Sequence, residues 1–318
     1  MLRCVALDDY QNVAAKFSEW SKLKGQVELR SVTEFIADRE ALVAALADAD
    51  IIIAMRERTP FDRALFERLP KLKLLITTGM KNASIDLKAA ADRGVPVCGT
   101  EGSPGATAEL TWGLIFALMR KIPFEAGNFR NGGWQTTVGR EVSGRHLGVI
   151  GLGKLGSRVA RAGLAFGMKV SAWSQNLTAE RCKEVGVEFA GSLDALLQAS
   201  DIVTIHMVLS DRTHGLLKAR EIGLMKRDAF LINTSRGPIV DEAALVAALK
   251  EKRIAGAGID VFDKEPLPAN HPLRGLDNLV ATPHIGYVTE EGYRVFYGQA
   301  AEDIAAWLAG KPVRVLSA

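Results

Sequence analysis

Two α/β bodies built on parallel sheets are the expected fold, on three observations. Short β-branched or apolar runs alternate with helical segments along most of the chain, and that alternation is the mark of βαβ units. The series breaks near residue 100 and restarts at His146. The chain has 318 residues, about two domains at ~150 residues each.

The first series runs to residue 100. Arg3–Leu7 is a short apolar run that ends in acid, like a strand reaching a sheet edge. Val27–Arg30 is a weaker strand, and Ala41–Ala47 has helical composition. Asp50–Ala54 is unbroken and β-branched, the pattern of a buried strand. Phe61–Leu69 is a helix that Pro60 can start and Pro70 can stop. Lys73–Thr77 is a strand, Asp86–Arg93 a helix closed by Gly94, and Val95–Cys98 a strand.

A long helix is expected from about Pro104 to Ile122. Its stretch Leu110–Met119 is apolar nearly all round, which suits burial between bodies. Phe124–Gly144 holds five glycines and little periodicity, so it is expected to be a long loop or arm. The second series has strands at Leu147–Ile150, Lys169–Ala172, Asp201–Ile205, Ala229–Asn233, Ala257–Asp260 and Leu279–Ala281. Helices are expected at Leu155–Phe166, Leu193–Ala199, Lys218–Met225 and Glu242–Glu251. Glu290–Leu308 is helical again, a terminal helix able to cross back to the first body.

Composition narrows the function. At 48% hydrophobic and 24% charged, the chain has the balance of a globular protein rather than a disordered one. Forty basic against thirty-seven acidic residues give +3, with no basic block, so neither nucleic acid nor a membrane surface is expected as a partner. Cys4, Cys98 and Cys182 lie far apart and form no CxxC. They are expected to be reduced thiols, and no metal site is expected. Asp8 interrupts the start before a long apolar run develops, so no signal peptide is expected. The longest apolar stretch is about half a membrane span. A cytoplasmic location is the expectation.

Four segments carry chemistry. Gly151-Leu-Gly153-Lys154-Leu155-Gly156 follows an expected strand and opens an expected helix. In that context Gly151 permits a tight turn, Gly153 lets backbone approach a pyrophosphate and Gly156 lets helix pack on strand. The free N–H groups of the helix start then hold the phosphates. A sheet of this kind places an acid at the end of its second strand to grip the adenosine ribose. Here that position, 18 residues past Gly156, is Ser174, followed by Gln175 and Asn176. No carboxylate repels a 2′-phosphate and no arginine attracts one, the nearest in sequence being Arg181. NAD and NADP both stay open.

The other three segments are strand-end loops, where open α/β sheets place their sites. Asn233-Thr234-Ser-Arg236-Gly237 puts an arginine just past an apolar strand, suited to a two-pronged hold on a carboxylate or to solvation before a turn. Gly258–Pro266 offers Asp260, Asp263 and Glu265, a site or a charged surface loop. Ala281-Thr-Pro-His284-Ile-Gly286 offers a histidine, an acid/base or a cap.

In this order and spacing, with 29 residues from Arg236 to Glu265 and 19 from Glu265 to His284, the four motifs resemble the D-isomer-specific 2-hydroxyacid dehydrogenases. That family includes D-lactate, D-3-phosphoglycerate, glyoxylate and hydroxypyruvate enzymes. The resemblance implies two Rossmann-like, doubly wound bodies with a cleft between them. The dinucleotide-binding body would span residues 101–285 and the discontinuous substrate body residues 1–100 plus 286–318. It implies a catalytic set in which Arg236 holds the substrate carboxylate, His284 exchanges the proton and Glu265 orients His284. Asp260 resembles the residue that meets the nicotinamide amide. Thr77–Asn82, with Gly79, Met80 and Lys81, resembles the substrate loop, though that loop usually carries more glycine. Thr107, His206, Met207 and Thr213 resemble cofactor contacts, together with Asn233, Thr234 and Gly286. Tyr287 stands where a small residue is common. The resemblance further implies a homodimer built through the arm. A branch of related fold acts instead as a dinucleotide-sensing corepressor, the alternative from another class. The complete Arg236, Glu265 and His284 set favours the enzyme.

Overall fold

The computed structural model describes residues 1–23 and 25–317, so Ala318, the end of the expected substrate body, lies outside the described residues. In chain order the first elements are β1 (Leu2–Ala6), β2 (Val27–Ser31), α1 (Arg39–Leu46), β3 (Ile51–Ala54), α2 (Arg63–Glu67), β4 (Leu74–Thr77), α3 (Leu87–Asp92) and β5 (Val97–Gly99). Next come α4 (Ala106–Met119), α5 (Ile122–Arg130), β6 (His146–Ile150), α6 (Lys154–Ala165), β7 (Lys169–Trp173), α7 (Ala179–Val185), β8 (Glu188–Phe189) and α8 (Leu193–Ala199). The last are β9 (Ile202–Ile205), α9 (Ala219–Leu224), β10 (Phe230–Asn233), α10 (Glu242–Lys250), β11 (Gly256–Ile259), β12 (Leu279–Ala281) and α11 (Glu290–Leu308).

The chain divides into two compact units, Met1–Ser103 with Val288–Ala318, and Pro104–Tyr287. The first holds a five-stranded sheet in the order β2-β1-β3-β4-β5, parallel throughout. The second holds a seven-stranded parallel sheet, β12-β11-β10-β9-β6-β7-β8. Strand order reverses between β1 and β3 in one sheet and between β6 and β9 in the other. Those reversals leave crevices at the carboxyl ends of the strands, where such sheets bind ligands.

Composition explains the layering. All residues of β3, β4, β9 and β10 are buried, because parallel strands are covered by helices on both faces. The helix starts are set locally. Asp38, Asp62, Asp86, Thr178, Ser192, Asp241 and Thr289 each turn a side-chain oxygen onto a backbone N–H of the helix that follows, satisfying donors that the helix itself leaves open.

Three elements differ from the sequence reading. The long helix stops at Met119, where Lys121 adopts a left-handed φ of 57° and a second helix, α5, begins with proline in its first turn. The expected arm is therefore helical as far as Arg130, since proline is favoured at a helix start. The second addition is α7. It buries only Cys182 and Val185, too few apolar positions to show a period. The third is β8, two residues with both side chains exposed, too short to show an alternation. Helix α4 packs Trp112, Leu114 and Leu118 into the core of its own unit with Val149, Val159 and Ile232.

Candidate active site at the carboxyl edge of the seven-stranded sheet

The loop after β6 is shaped by its glycines. Gly151 has φ +97°, and a Cβ there would lie 2.5 Å from the carbonyl oxygen of His206. At Gly156 a Cβ would come within 1.9 Å of the Gly151 carbonyl oxygen, whereas the Cβ position at Gly153 meets open space. Gly153 caps α6 without any side-chain hydrogen bond, so the first N–H groups, over Lys154, Leu155 and Gly156, are left for an external acceptor. Tight turn, open approach and unspent donors fit the pyrophosphate of a dinucleotide.

The loops after β7 and β9 flank this cradle. Ser174 follows β7 half-buried, with Gln175 and Asn176 exposed beyond it. His206 is held by Thr204, whose Oγ1 lies 2.9 Å from Nε2. Burial pushes the His206 imidazole down to about 4, so this ring is neutral near pH 7 and suited to packing rather than proton exchange. Met207 lies against Gly151. Thr213 differs in setting. Its hydroxyl donates to the Val208 carbonyl oxygen (2.7 Å) and accepts from the Ser210 N–H (2.8 Å), closing a turn within its own loop.

At the ends of β10, β11 and β12 the three remaining motifs meet. Asn233 builds the first loop: its Nδ2 donates to the Arg236 carbonyl oxygen (2.9 Å) and its Oδ1 accepts from the Ser235 N–H (3.0 Å). Thr234 shares a hydroxyl contact of 2.8 Å with Thr111 on α4. Asp260, fully buried, accepts from the Thr282 hydroxyl (2.6 Å) and the Ile285 N–H (2.8 Å) on one oxygen, and from the Gly286 N–H (2.8 Å) on the other. Burial raises the Asp260 carboxyl, while those donors and the nearby His284 charge hold it back. Thr107 braces the same loop by donating to the Gly286 carbonyl oxygen at 3.0 Å. The loop held in this way carries His284, with a left-handed φ of 53°.

The His284 Nδ1–H donates to Glu265 Oε2 at 2.5 Å. The other Glu265 oxygen accepts the Phe262 N–H at 2.9 Å. Burial opposes the Glu265 charge, but His284 and then the Phe262 N–H and the Arg236 charge outweigh it and keep the carboxyl below its ordinary range. Glu265 is therefore an anion near pH 7, and an imidazole anchored through Nδ1 leaves Nε2 for a substrate oxygen. Arg236, whose NH1 also donates to the Ser235 carbonyl oxygen at 2.8 Å, supplies the positive charge beside this pair. An anchored imidazole, a carboxylate and a guanidinium make a set for polarising and protonating the carbonyl of an acid.

In the first unit, Gly79–Lys81 follows β4. Gly79 has φ +130° and donates to the Thr100 hydroxyl at 3.1 Å. Met80 is 44% exposed and Lys81 is exposed.

Comparison with known proteins places this arrangement. Residues 112–286 match the family model described as D-isomer specific 2-hydroxyacid dehydrogenase, NAD binding domain. A glyoxylate reductase of Aeropyrum pernix is 39% identical over 284 residues, covering 86% of this chain and 84% of the relative. The chain belongs to the D-isomer-specific 2-hydroxyacid dehydrogenase family. A D-3-phosphoglycerate dehydrogenase of Methanocaldococcus jannaschii is 36% identical over 276 residues, 86% of this chain and 52% of the relative. The chain thus spans about half the length of that relative. Among solved structures, a phosphoglycerate oxidoreductase from Vibrio cholerae superimposes with a TM-score of 0.93 at 32% identity, over 98% of this chain and 100% of the other.

Four residues of this family member escaped the sequence reading. Tyr287, a departure from the family pattern in the sequence, packs its ring edge-on against His284, with centroids 5.6 Å apart. Thr111 braces Thr234. Arg56 lies against the Gly79 loop and donates to the Thr78 carbonyl oxygen at 3.2 Å. Arg212 reaches the end of β7 from the loop after β9, with its NH2 3.4 Å from Asn176 Oδ1. For Arg56 the available signal is a cation just past the end of β3, whereas Arg212 lies well inside the loop after β9 and carries no such mark. Arg181 is nearer to Ser174 in sequence but pairs with Glu184.

Proposed function

We propose that this protein is an NAD(P)-dependent D-2-hydroxyacid dehydrogenase that interconverts a 2-keto acid and its D-2-hydroxy acid. The observation that carries the proposal is the 2.5 Å bond from His284 to Glu265, beside the Arg236 charge and on the sheet edge that carries the Gly151–Gly156 cradle. The cofactor would be held by Gly151–Gly156, Ser174, Gln175, His206, Met207, Asp260 and Gly286, with Thr107, Asn233 and Thr234 shaping their loops. A bound reduced nicotinamide supplies a hydride, and the oxidised form accepts one.

The protein's own groups do the rest. Arg236 binds the substrate carboxylate and draws electron density from the adjacent carbonyl oxygen. His284 gives its Nε2 proton to that oxygen as the carbon is reduced, and takes it back in the reverse reaction. Glu265 fixes the imidazole tautomer and balances its charge. Asp260, besides its place next to the cofactor, holds the loop that carries His284. In the first unit, Gly79, Met80 and Lys81 are the candidates for recognising the acid, with Arg56 beside them.

The same reading includes a homodimer. Ile122, Phe124, Phe129, Trp134 and Val138 are 50 to 91% exposed, a run of large apolar side chains typical of a covered face. A cytoplasmic setting suits the three buried free thiols. Among the described residues no helix is long and apolar enough to cross a membrane.

The reading is tested by offering glyoxylate, hydroxypyruvate, pyruvate and bulkier 2-keto acids with NADH and with NADPH, following absorbance of the reduced nicotinamide. Substrate-dependent loss with at least one acid supports it. Tight binding of the dinucleotide with no turnover on any acid would favour the sensing alternative.

A further inference from the structure

The end of β7 carries a polar network that brings a further residue, Arg212, to the proposed cofactor positions Ser174 and Gln175. Gln175 Nε2 donates to the Arg212 carbonyl oxygen at 3.1 Å, and Arg212 NH2 lies 3.4 Å from Asn176 Oδ1. Arg212 comes from the loop after β9, while Gln175 and Asn176 come from the loop after β7. In the sheet β6 lies between those two strands. The β9 loop therefore passes over the end of β6, and at its start His206 lies against Gly151. The two contacts deliver a guanidinium across the phosphate cradle to the place where an open α/β sheet reads the adenosine ribose.

The charges there are uneven. Position 174, where a carboxylate would repel a phosphate, is a serine. Arg181, on the neighbouring helix α7, donates to Ser157 Oγ at 3.2 Å, but it is already paired with Glu184 at 2.8 Å. The side-chain contact of Arg212 is to a neutral amide, so its positive charge is not spent on a carboxylate there.

We infer that Arg212, positioned by Gln175 and Asn176, receives the 2′-phosphate of NADPH and makes it the preferred cofactor. The inference rests on the proposed reading of this edge as a nicotinamide dinucleotide site. A phosphate dianion takes charge-assisted hydrogen bonds from the guanidinium, together with neutral ones from the Ser174 hydroxyl and the Gln175 amide. NADH lacks the phosphate and gains nothing from Arg212. Because Arg212 is exposed, the preference depends on ionic strength: salt screens exposed charges within a Debye length of ~8 Å at physiological strength.

The test is equilibrium binding, read from nicotinamide fluorescence without any substrate. NADH and NADPH are titrated into wild type, Arg212→Ala and Arg212→Lys at low and at physiological salt. Wild type is expected to bind NADPH at least about tenfold more tightly than NADH, an advantage that shrinks as salt rises. Arg212→Ala is expected to cut the NADPH-to-NADH affinity ratio by roughly tenfold, with the loss on the NADPH side. Arg212→Lys retains part of the advantage, since it keeps the charge and loses the fork. Equal losses for both cofactors in Arg212→Ala would show a merely structural role and overturn the inference. So would a wild type that prefers NADH, a result that leaves the dinucleotide site standing. Binding of neither cofactor to wild type overturns the inference and the reading beneath it together.

Discussion

At the scale of single residues, the account turns on His284 and its anchor. His284→Ala removes the proton donor and is expected to lower turnover by ~10²–10⁴-fold, with little change in dinucleotide affinity. Steady-state rates beside a binding titration check both halves. Glu265 gives a pH prediction. Its carboxyl lies below the ordinary range in the folded protein, so the ionised form contributes stability that is present above the unfolded pKa of about 4.3 and is lost as pH falls through the folded one. Acid unfolding curves of Glu265→Gln should therefore be flatter below about pH 4 than those of wild type. Arg236→Lys keeps charge but loses the two-pronged geometry. A large rise in KM with a fall in kcat is expected. Wild-type kinetics would move the carboxylate clamp to another cation. Gly156→Ala would push a methyl group to within 1.9 Å of the Gly151 carbonyl oxygen. Weaker dinucleotide binding in a titration is the expected result, because the turn has to open to admit it.

Elements show how far the amino-acid pattern reaches. Every strand but β8 is legible, because β-branched runs such as Ile51–Ile53 are buried on both faces. The site was legible because its residues sit just past strand ends, where apolar pattern stops and glycine or charge begins. Contacts between loops of different strands were not legible. Arg212 and Asn176 are 36 residues apart, and nothing in either segment names the other. The same holds for Asp260, whose reading as a nicotinamide contact gave no hint that its carboxylate gathers Thr282, Ile285 and Gly286. Helices α7 and α5 were missed for lack of apolar period and because glycines masked a proline start. The end of the chain offers an element-scale prediction. Beyond α11 the tail pairs with β5, Leu316 N–H donating to the Val97 carbonyl oxygen (2.8 Å) and Gly99 N–H to that of Arg314 (2.9 Å). Arg314 Nε also meets the buried Asp303 at 3.0 Å. Burial pushes the Asp303 carboxyl up to about 7, against the pull of Arg314. Arg314→Ala removes that pull, so urea unfolding of the whole protein is expected to show a loss of stability that is small near neutral pH and grows above about pH 7, where the buried carboxyl would otherwise be charged. For a raised carboxyl the sign is reversed from Glu265. The folded state holds the proton more tightly, so this site lowers stability as pH rises from about 4 toward the folded value and adds no further loss above it.

For the whole molecule, each sheet has its own core and its own crevice, and the residues proposed for proton exchange and for the dinucleotide all belong to the unit Pro104–Tyr287. The exposed apolar run from Ile122 to Val138 lies in that unit as well. Light scattering at micromolar concentration is expected to return twice the chain mass of 34.3 kDa, and a monomer mass would remove the homodimer from the account. The central claim, that this protein moves a hydride between a nicotinamide and a 2-keto acid while His284 supplies the proton, is tested most directly by isotope transfer. A reduced dinucleotide carrying two deuteriums at its reactive carbon is incubated with wild-type protein and an accepted 2-keto acid larger than glyoxylate. The product is then resolved by chiral chromatography and mass spectrometry. The account predicts a D-2-hydroxy acid with one deuterium on the hydroxylated carbon for each dinucleotide consumed. An L-configured product, or dinucleotide oxidation with no deuterium in the acid, would contradict it.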